Sequence, residues 1–389
     1  MKRVILICLC AGLLLSGCST LLDGSYFWAA PHQAESSQDN DDNIQATNFQ
    51  ELVDALSNMA ENGVEEGIIY VPQYDADKFE TDMPKAVDAT LTGNPIAAFA
   101  AEEITWELGS NSGQRAVSVS ISYLHNRTEI KKIKYVADLD GAAQAIYTAM
   151  NNRETGLVLY LEQYQPADFA QLSETYAFYN PHYVMETPQI TANIYPQWGD
   201  SRVVELKFAY QTPRDTLLSM QQQVDPIFSA AKLYVSGNAE AQQKFSQLYS
   251  FLMERYDYNL ETSITPSYSL LCHGVGDSKA FSTVYAAMCR EAGLDCQVIS
   301  GTHQGQRWYW NLININGSYR HVDLLQSNSA GNFITYADEE MAGYVWDYSA
   351  YPIPTPPPVA RQIPESPSTQ GEIPDSSVSA HDADPADAE

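Results

Sequence analysis

Between residues 268 and 323 the chain carries a dense series of helix starts, helix stops and strand turns, and this punctuation limits the possible folds more than any other stretch. Asp277-Ser278 supplies side chains able to cap the first amides of a helix. Phe281, Val284, Tyr285 and Met288 then recur at helical spacing and give that helix a buried face. Gly293 closes it as a C-terminal glycine. Three strands follow, over 296–300, 309–315 and 319–323, the last two joined by the hairpin turn Asn316-Gly317. Upstream, residues 240–256 predict another helix, with Phe245, Leu248, Phe251 and Leu252 on one face. A buried helix laid against antiparallel strands makes this part of the chain α+β.

The order of motifs within that punctuation resembles the transglutaminase-like domain of the papain-type cysteine enzymes. The resemblance runs over about residues 240–330. In that family a helix ending in Y-D precedes a G-V-C turn that opens a second helix, then come a strand with H-x-W-N and a strand ending H-V-D. Here Tyr256-Asp257 ends the first helix, the turn is Gly274-Val275-Gly276, the second motif is Trp308-Tyr309-Trp310-Asn311, and His321-Val322-Asp323 ends the last strand. The resemblance therefore implies a papain-like fold in which glycine replaces the nucleophilic cysteine, tryptophan replaces the histidine, and Asp323 alone stays.

The chemistry of such a site needs a thiolate held at a helix N-terminus beside an imidazole, with a carboxylate fixing the imidazole tautomer. Gly276 has no side chain, and the Trp308 indole has one donor and no acceptor, so neither performs these roles. A shifted set, Cys272 with His303 and Asp323, is the fallback. A four-residue displacement takes the thiol off the helix end, where errors of about 1 Å already cost roughly a hundredfold. The plainer view makes Cys272 a small buried residue or half of a disulfide, His273 and His303 solvent-facing loop residues, and His321 a packed, hydrogen-bonded strand residue. Trp308 is either filling for a former cleft or an aromatic wall that, with Tyr309 and Asp323, contacts a ligand. Because the family places positions 308 and 323 side by side, the Trp308 N–H is expected to donate to Asp323. No metal-ligand spacing and no cofactor motif stands out.

The N-terminus reads as an export signal: Met1-Lys2-Arg3, an apolar run too short to span a bilayer, then Leu15-Ser16-Gly17-Cys18. The ending resembles the bacterial lipobox, which implies that Cys18 is acylated, becomes the first mature residue and anchors the protein to the membrane outside the cytoplasm. Cys272, Cys289 and Cys296 then remain, an odd number, so at most one internal disulfide forms, with Cys289 and Cys296 the pair best placed by spacing. The net charge of −28, from 49 acidic and 21 basic side chains, excludes nucleic acid as a partner.

Ahead of the C-terminal segment, a pattern recurs. Ala55-Leu56, Tyr70, Tyr74, Phe79, Asn94-Pro95, Ile104-Thr105, Tyr123 and Arg127 are matched, at nearly constant offset, by Ala145-Ile146, Tyr160, Tyr164, Phe169, Asn180-Pro181, Ile190-Thr191, Tyr210 and Arg214. Each copy reads as helix, strand, helix and hairpin. The expected organisation is a signal peptide (1–17), a disordered linker (18–47), α/β repeat modules at 48–136 and 137–225, a transglutaminase-like domain at 226–350, and a disordered, proline-rich acidic tail at 351–389. The tail is read as a spacer rather than a recognition peptide. The expected function is a lipid-anchored protein of the cell envelope whose inactive domain binds or scaffolds a peptide, a protein or cell-wall polymer. The alternative is an active cysteine peptidase or acyltransferase using Cys272.

Overall fold

The computed structural model describes residues 44–347. Cys18, the export signal, most of the linker and the proline-rich tail lie outside the described residues.

Asn48 accepts from the Glu51 amide and starts α1 (Phe49–Glu61), whose Leu52, Val53, Leu56 and Met59 form the buried stripe that the spacing predicts. β1 (Glu66–Tyr70) follows, then α2 (Ala76–Gly93), opened by the Asp75 carboxylate. Asn94 ends α2 and caps α3 (Pro95–Ala100), its Oδ1 accepting from the amides of Ile96 and Ala97 at 3.0 and 2.9 Å. β2 (Ala101–Asn111) and β3 (Gln114–Tyr123) form a hairpin on Ser112-Gly113, with φ of 52° and 79°, as a turn matched to the twist of two strands requires. The three strands pair antiparallel in the order β1-β3-β2. Gln45 already pairs with Tyr70 and Ala46 is fully buried, so ordered structure begins inside the segment expected to be linker.

The second sheet takes in α4 (Arg127–Ile130), β4 (Lys134–Val136), α5 (Leu139–Asn152), β5 (Gly156–Leu161), α6 (Phe169–Tyr179), β6 (Gln189–Tyr195) and β7 (Arg202–Ala209). Its order is β4-β5-β7-β6, with β4 parallel to β5 and the other pairs antiparallel. β4 thus belongs to this sheet, although it lies on the N-terminal side of the expected 136/137 boundary. Ile96 and Phe99 of α3 pack with Ile130, Ile133 and Val203, so the two halves share an apolar seam.

α7 (Arg214–Ser229) runs straight through the division expected at 225/226. Its Leu217, Val224 and Phe228 are buried in the core of the C-terminal part. That part continues with α8 (Ala241–Met253), β8 (Asp257–Tyr258), α9 (Pro266–His273), β9 (Val275–Gly276), α10 (Ser278–Glu291), β10 (Cys296–His303), β11 (Gln306–Ile315), β12 (Ser318–Val322), α11 (Leu324–Ser329) and β13 (Tyr344–Trp346). The sheet order is β12-β11-β10-β13, all antiparallel. Asn316 and Gly317, at φ 54° and 90°, make the β11–β12 turn. α10 packs Phe281, Val284, Tyr285 and Met288 against α8 and one face of the sheet, where Tyr309 and Ile313 meet it. The opposite face carries Ile299, Trp310, Leu312 and Trp346, with Trp308 and Tyr344 at its edge.

Candidate functional site

The helix that opens the site is built as its sequence predicts. The Asp277 carboxylate caps α10 by accepting from the Ala280 amide at 2.9 Å. At the other end Gly293 is left-handed (φ 74°), and the Leu294 amide reaches back to the Cys289 carbonyl at 2.8 Å. Two bonds tie β11 to this helix: the Tyr309 amide donates to Ser278 Oγ at 3.3 Å, and Asn311 Nδ2 donates to the Ser282 carbonyl at 2.9 Å.

Gly276 lies immediately before the cap, and its surroundings are closed. A Cβ there would stand 2.8 Å from Ala280 Cβ and 3.1 Å from Leu270 Cδ1. Carbon atoms do not approach that closely without displacement, so the position has no volume for a side chain as it stands. Its backbone is held too: β9 pairs with β8, and the Asn259 amide donates to the Gly276 carbonyl at 2.9 Å.

At Trp308 the indole Nε1–H donates to Asp323 Oδ2 at 2.6 Å, the pairing anticipated from the sequence. Tyr344 adds its hydroxyl to the same oxygen at 2.7 Å. Asp323 Oδ1 accepts from the amides of Leu325 and Gln326 at 2.9 and 3.1 Å, capping α11. Asp323 is 1% exposed, and all four of these donors converge on it. A carboxylate so occupied has no lone pair left for a ligand, so its expected part in binding is corrected: it is the anchor of a polar knot. The Tyr344 phenol is pushed far above its usual range, by burial first and by the Asp323 charge second, and so stays a donor.

Tyr309 needs a similar correction. It is 7% exposed and points to the α10 side, opposite Trp308, because successive strand residues alternate faces. There it meets Phe178 of α6 edge-on at 5.8 Å and lies beneath the Lys279 ammonium and the Arg307 guanidinium. Of the three expected binding residues only Trp308 keeps an accessible face. Its ring meets Tyr258 at 5.9 Å and His303 at 5.7 Å, and His303 stacks flat on Tyr344 at 4.1 Å. Tyr258 and Tyr344 are site residues that sequence reasoning missed. A tyrosine on a two-residue strand and another on a three-residue strand carry no periodic signal.

The fallback set does not assemble. Cys272 is an exposed, free thiol near the end of α9, beside Tyr256, and burial raises rather than lowers its pKa. This differs from the buried or disulfide-bonded cysteine expected. Its neighbour His273 stacks edge-on against Tyr268, and His303 is engaged with Trp308 and Tyr344. Among the described residues no hydrogen bond joins Cys272 to an imidazole. Cys289 and Cys296 lie side by side as buried free thiols, and burial pushes the Cys289 thiol well up. His321 is fully buried, with Trp310 Nε1 donating to its Nδ1 at 3.0 Å and Asp338 Oδ1 3.0 Å from its Nε2. Burial lowers its pKa against the opposing pull of Asp338. Among the described residues no group of His, Cys, Asp and Glu is arranged to hold a metal, and no helix is long and apolar enough to cross a membrane.

The model of the transglutaminase-like superfamily matches residues 229–346. No curated protein matches the chain. Similar solved structures include a candidate cysteine protease from Cytophaga hutchinsonii, at 12% identity over 41% of this chain and 70% of that one, with a TM-score of 0.25. A TGase shares 10% identity over 46% of this chain and 56% of its own, with a TM-score of 0.24. A candidate protease from Parabacteroides distasonis shares 8% identity over 66% of this chain and 39% of its own, with a TM-score of 0.23. The helix–turn–helix–strand order around Gly276, Trp308 and Asp323 lies within the matched span, and residues 229–346 are a transglutaminase-like domain.

Proposed function

We propose that this protein is a lipid-anchored component of the bacterial envelope, tethered through an acylated Cys18, whose transglutaminase-like domain is not catalytic and serves to bind or scaffold a peptide, a protein or cell-wall polymer. The observation that carries this reading is the closed position at Gly276, where even a methyl group would collide with Ala280 and Leu270. The covalent route of a cysteine enzyme needs a nucleophile at such a helix tip. The Trp308–Asp323 bond supports the same reading, because it places a donor where a base is needed.

The two preceding α/β halves are read as a duplicated module. Support comes from the shared strand orders β1-β3-β2 and β5-β7-β6, and from left-handed residues in matching places after α1 and α5, Gly63 (φ 62°) and Arg153 (φ 53°). They form the spacer and platform that hold the C-terminal domain.

The test is turnover by the full mature chain of a glutaminyl or peptide-amide substrate with a primary amine present, with and without a thiol alkylator. No turnover is expected. Turnover that disappears in Cys272→Ala would establish the cysteine-enzyme alternative instead. Mass analysis of the mature N-terminus tests the anchor: unmodified Cys18 on the exported protein would remove it.

A further inference from the structure

Four rings of the C-terminal domain form one continuous surface. Tyr258, Trp308, His303 and Tyr344 touch in series, at 5.9, 5.7 and 4.1 Å between neighbouring ring centres. An apolar side chain follows Tyr258 along the chain, Leu260, which is 74% exposed. The Trp308 N–H is spent on Asp323, so this ring offers a face and no donor. Tyr258 is different: 41% exposed, its hydroxyl makes no hydrogen bond among the described residues. Burial first, then the Asp277 and Asp323 charges, raise its pKa and keep the hydroxyl a donor. Aromatic rings with an available hydroxyl donor are the surface that proline-rich segments recognise, because the rings pack on the pyrrolidines and the donor reaches a carbonyl.

The chain itself brings such a segment to this place. Gly301 of β10 pairs with Trp308 on one side and with Trp346 of β13 on the other. Trp346 and Trp308 are therefore two strand spacings apart, about 10 Å. The described chain ends one residue later, and the sequence continues Tyr348-Ser349-Ala350-Tyr351-Pro352-Ile353-Pro354-Thr355-Pro356-Pro357-Pro358. Proline has no amide to donate, so β13 cannot lengthen through Pro352 and beyond. Five residues from Trp346 to Tyr351 reach at most about 17 Å, enough to carry the prolines back across the aromatic run. Charge is compatible as well. Residues 348–364 hold no carboxylate and one arginine, Arg361, in a chain of net charge −28, and the surface they would meet is backed by Asp277 and Asp323.

We infer that the proline-rich segment 351–358 docks in cis on the Tyr258–Trp308–His303–Tyr344 surface and is its resident occupant, so that an external peptide engages this face only by displacing it. The inference rests on the domain being a binding surface. Its test reads occupancy and not turnover, so the two readings fail separately. Tethering within about ten residues gives an effective concentration in the millimolar range, which holds even a weak contact closed.

The experiment uses the full mature chain with a photoreactive benzoylphenylalanine in place of Leu260, beside Tyr258, irradiated at several dilutions and mapped by mass spectrometry. The expected product is an intramolecular crosslink into residues 351–358 whose yield does not change with dilution. Replacing Pro352, Pro354, Pro356, Pro357 and Pro358 by serine, which leaves the described fold untouched, is expected to lower that yield at least about tenfold, equivalent to about 1.4 kcal/mol. Trp308→Ala is expected to lower it similarly. Crosslinks confined to other residues, a yield that depends on concentration, or a yield indifferent to the five proline substitutions would each overturn the inference.

Discussion

The two corners of the transglutaminase-like site differ in kind. At Gly276 the helix tip is closed by apolar packing: Leu270 and Ala280 occupy the space a side chain would need. At Asp323 the polar character remains. The carboxylate is still buried and still satisfied, but its donors are an indole, a phenol and two backbone amides. The difference teaches that the two positions are closed in two physical ways. One removes volume, and the other keeps an anion while changing what faces it. Only the second leaves a structural debt, because a buried carboxylate cannot lose its donors cheaply.

The largest effect expected is at the polar corner. Asp323→Ala leaves the Trp308 N–H, the Tyr344 hydroxyl and two α11 amides without their acceptor. A loss of about 3–4 kcal/mol is expected from the unpaired donors and the missing cap, read from urea unfolding. A loss below about 1 kcal/mol would show that the knot is dispensable and the contrast false. The apolar corner comes next. Gly276→Cys is expected to cost about 2 kcal/mol through overpacking against Ala280, and its thiol to resist alkylation in the folded chain. Rapid alkylation there would reveal a pocket the packing denies. Adding Trp308→His to Gly276→Cys is expected to yield no turnover.

Trp308→Phe sharpens the comparison further. It keeps the ring and deletes the donor, for an expected loss of about 1 kcal/mol, and the deficit should shrink in a Tyr344→Phe background if the two donors act on Asp323 as a unit. The smallest effect is the pH response of His321 nearby. Its folded pKa lies below the usual 6.5 because burial disfavours the cation. The unfolded chain therefore binds the proton first, and stability falls as pH drops below about 6.5. The pH slope of unfolding in that range should be shallower in His321→Gln, and an unchanged slope would remove His321 from the network's titration.

Local signals made much of this legible in the sequence. Asp277, Gly293 and Asn316-Gly317 mark the ends of α10 and the β11–β12 turn in residues whose side chains or backbone geometry act within a few positions. The order of motifs around Gly276, Trp308 and Asp323 predicted their adjacency. What stayed hidden depends on distant partners. β13 is three residues long and exists through its pairing with β10, so nothing periodic announces Tyr344. Asp323 reads as the end of a strand, yet it caps a six-residue helix too short to show an apolar stripe. Tyr309 was expected to contact a ligand together with Trp308, although strand alternation sends it to the core. α7 crosses the expected 225/226 division, and Val224 and Phe228 on either side of Pro226 are buried in one core, a long-range contact that local spacing does not announce.

The way α6 and α7 meet the C-terminal domain has a consequence for how the protein can be cut. Arg290 reaches the Tyr179 carbonyl, Ser267 Oγ donates to the Pro181 carbonyl at 2.9 Å, and Glu174 faces both Lys279 and Arg307. With Leu217, Val224 and Phe228 seated in the same core, a protease that cuts after α7 would not release an intact C-terminal domain. It would strip the C-terminal domain of part of its own interior, so the molecule should survive or be cleared as a whole.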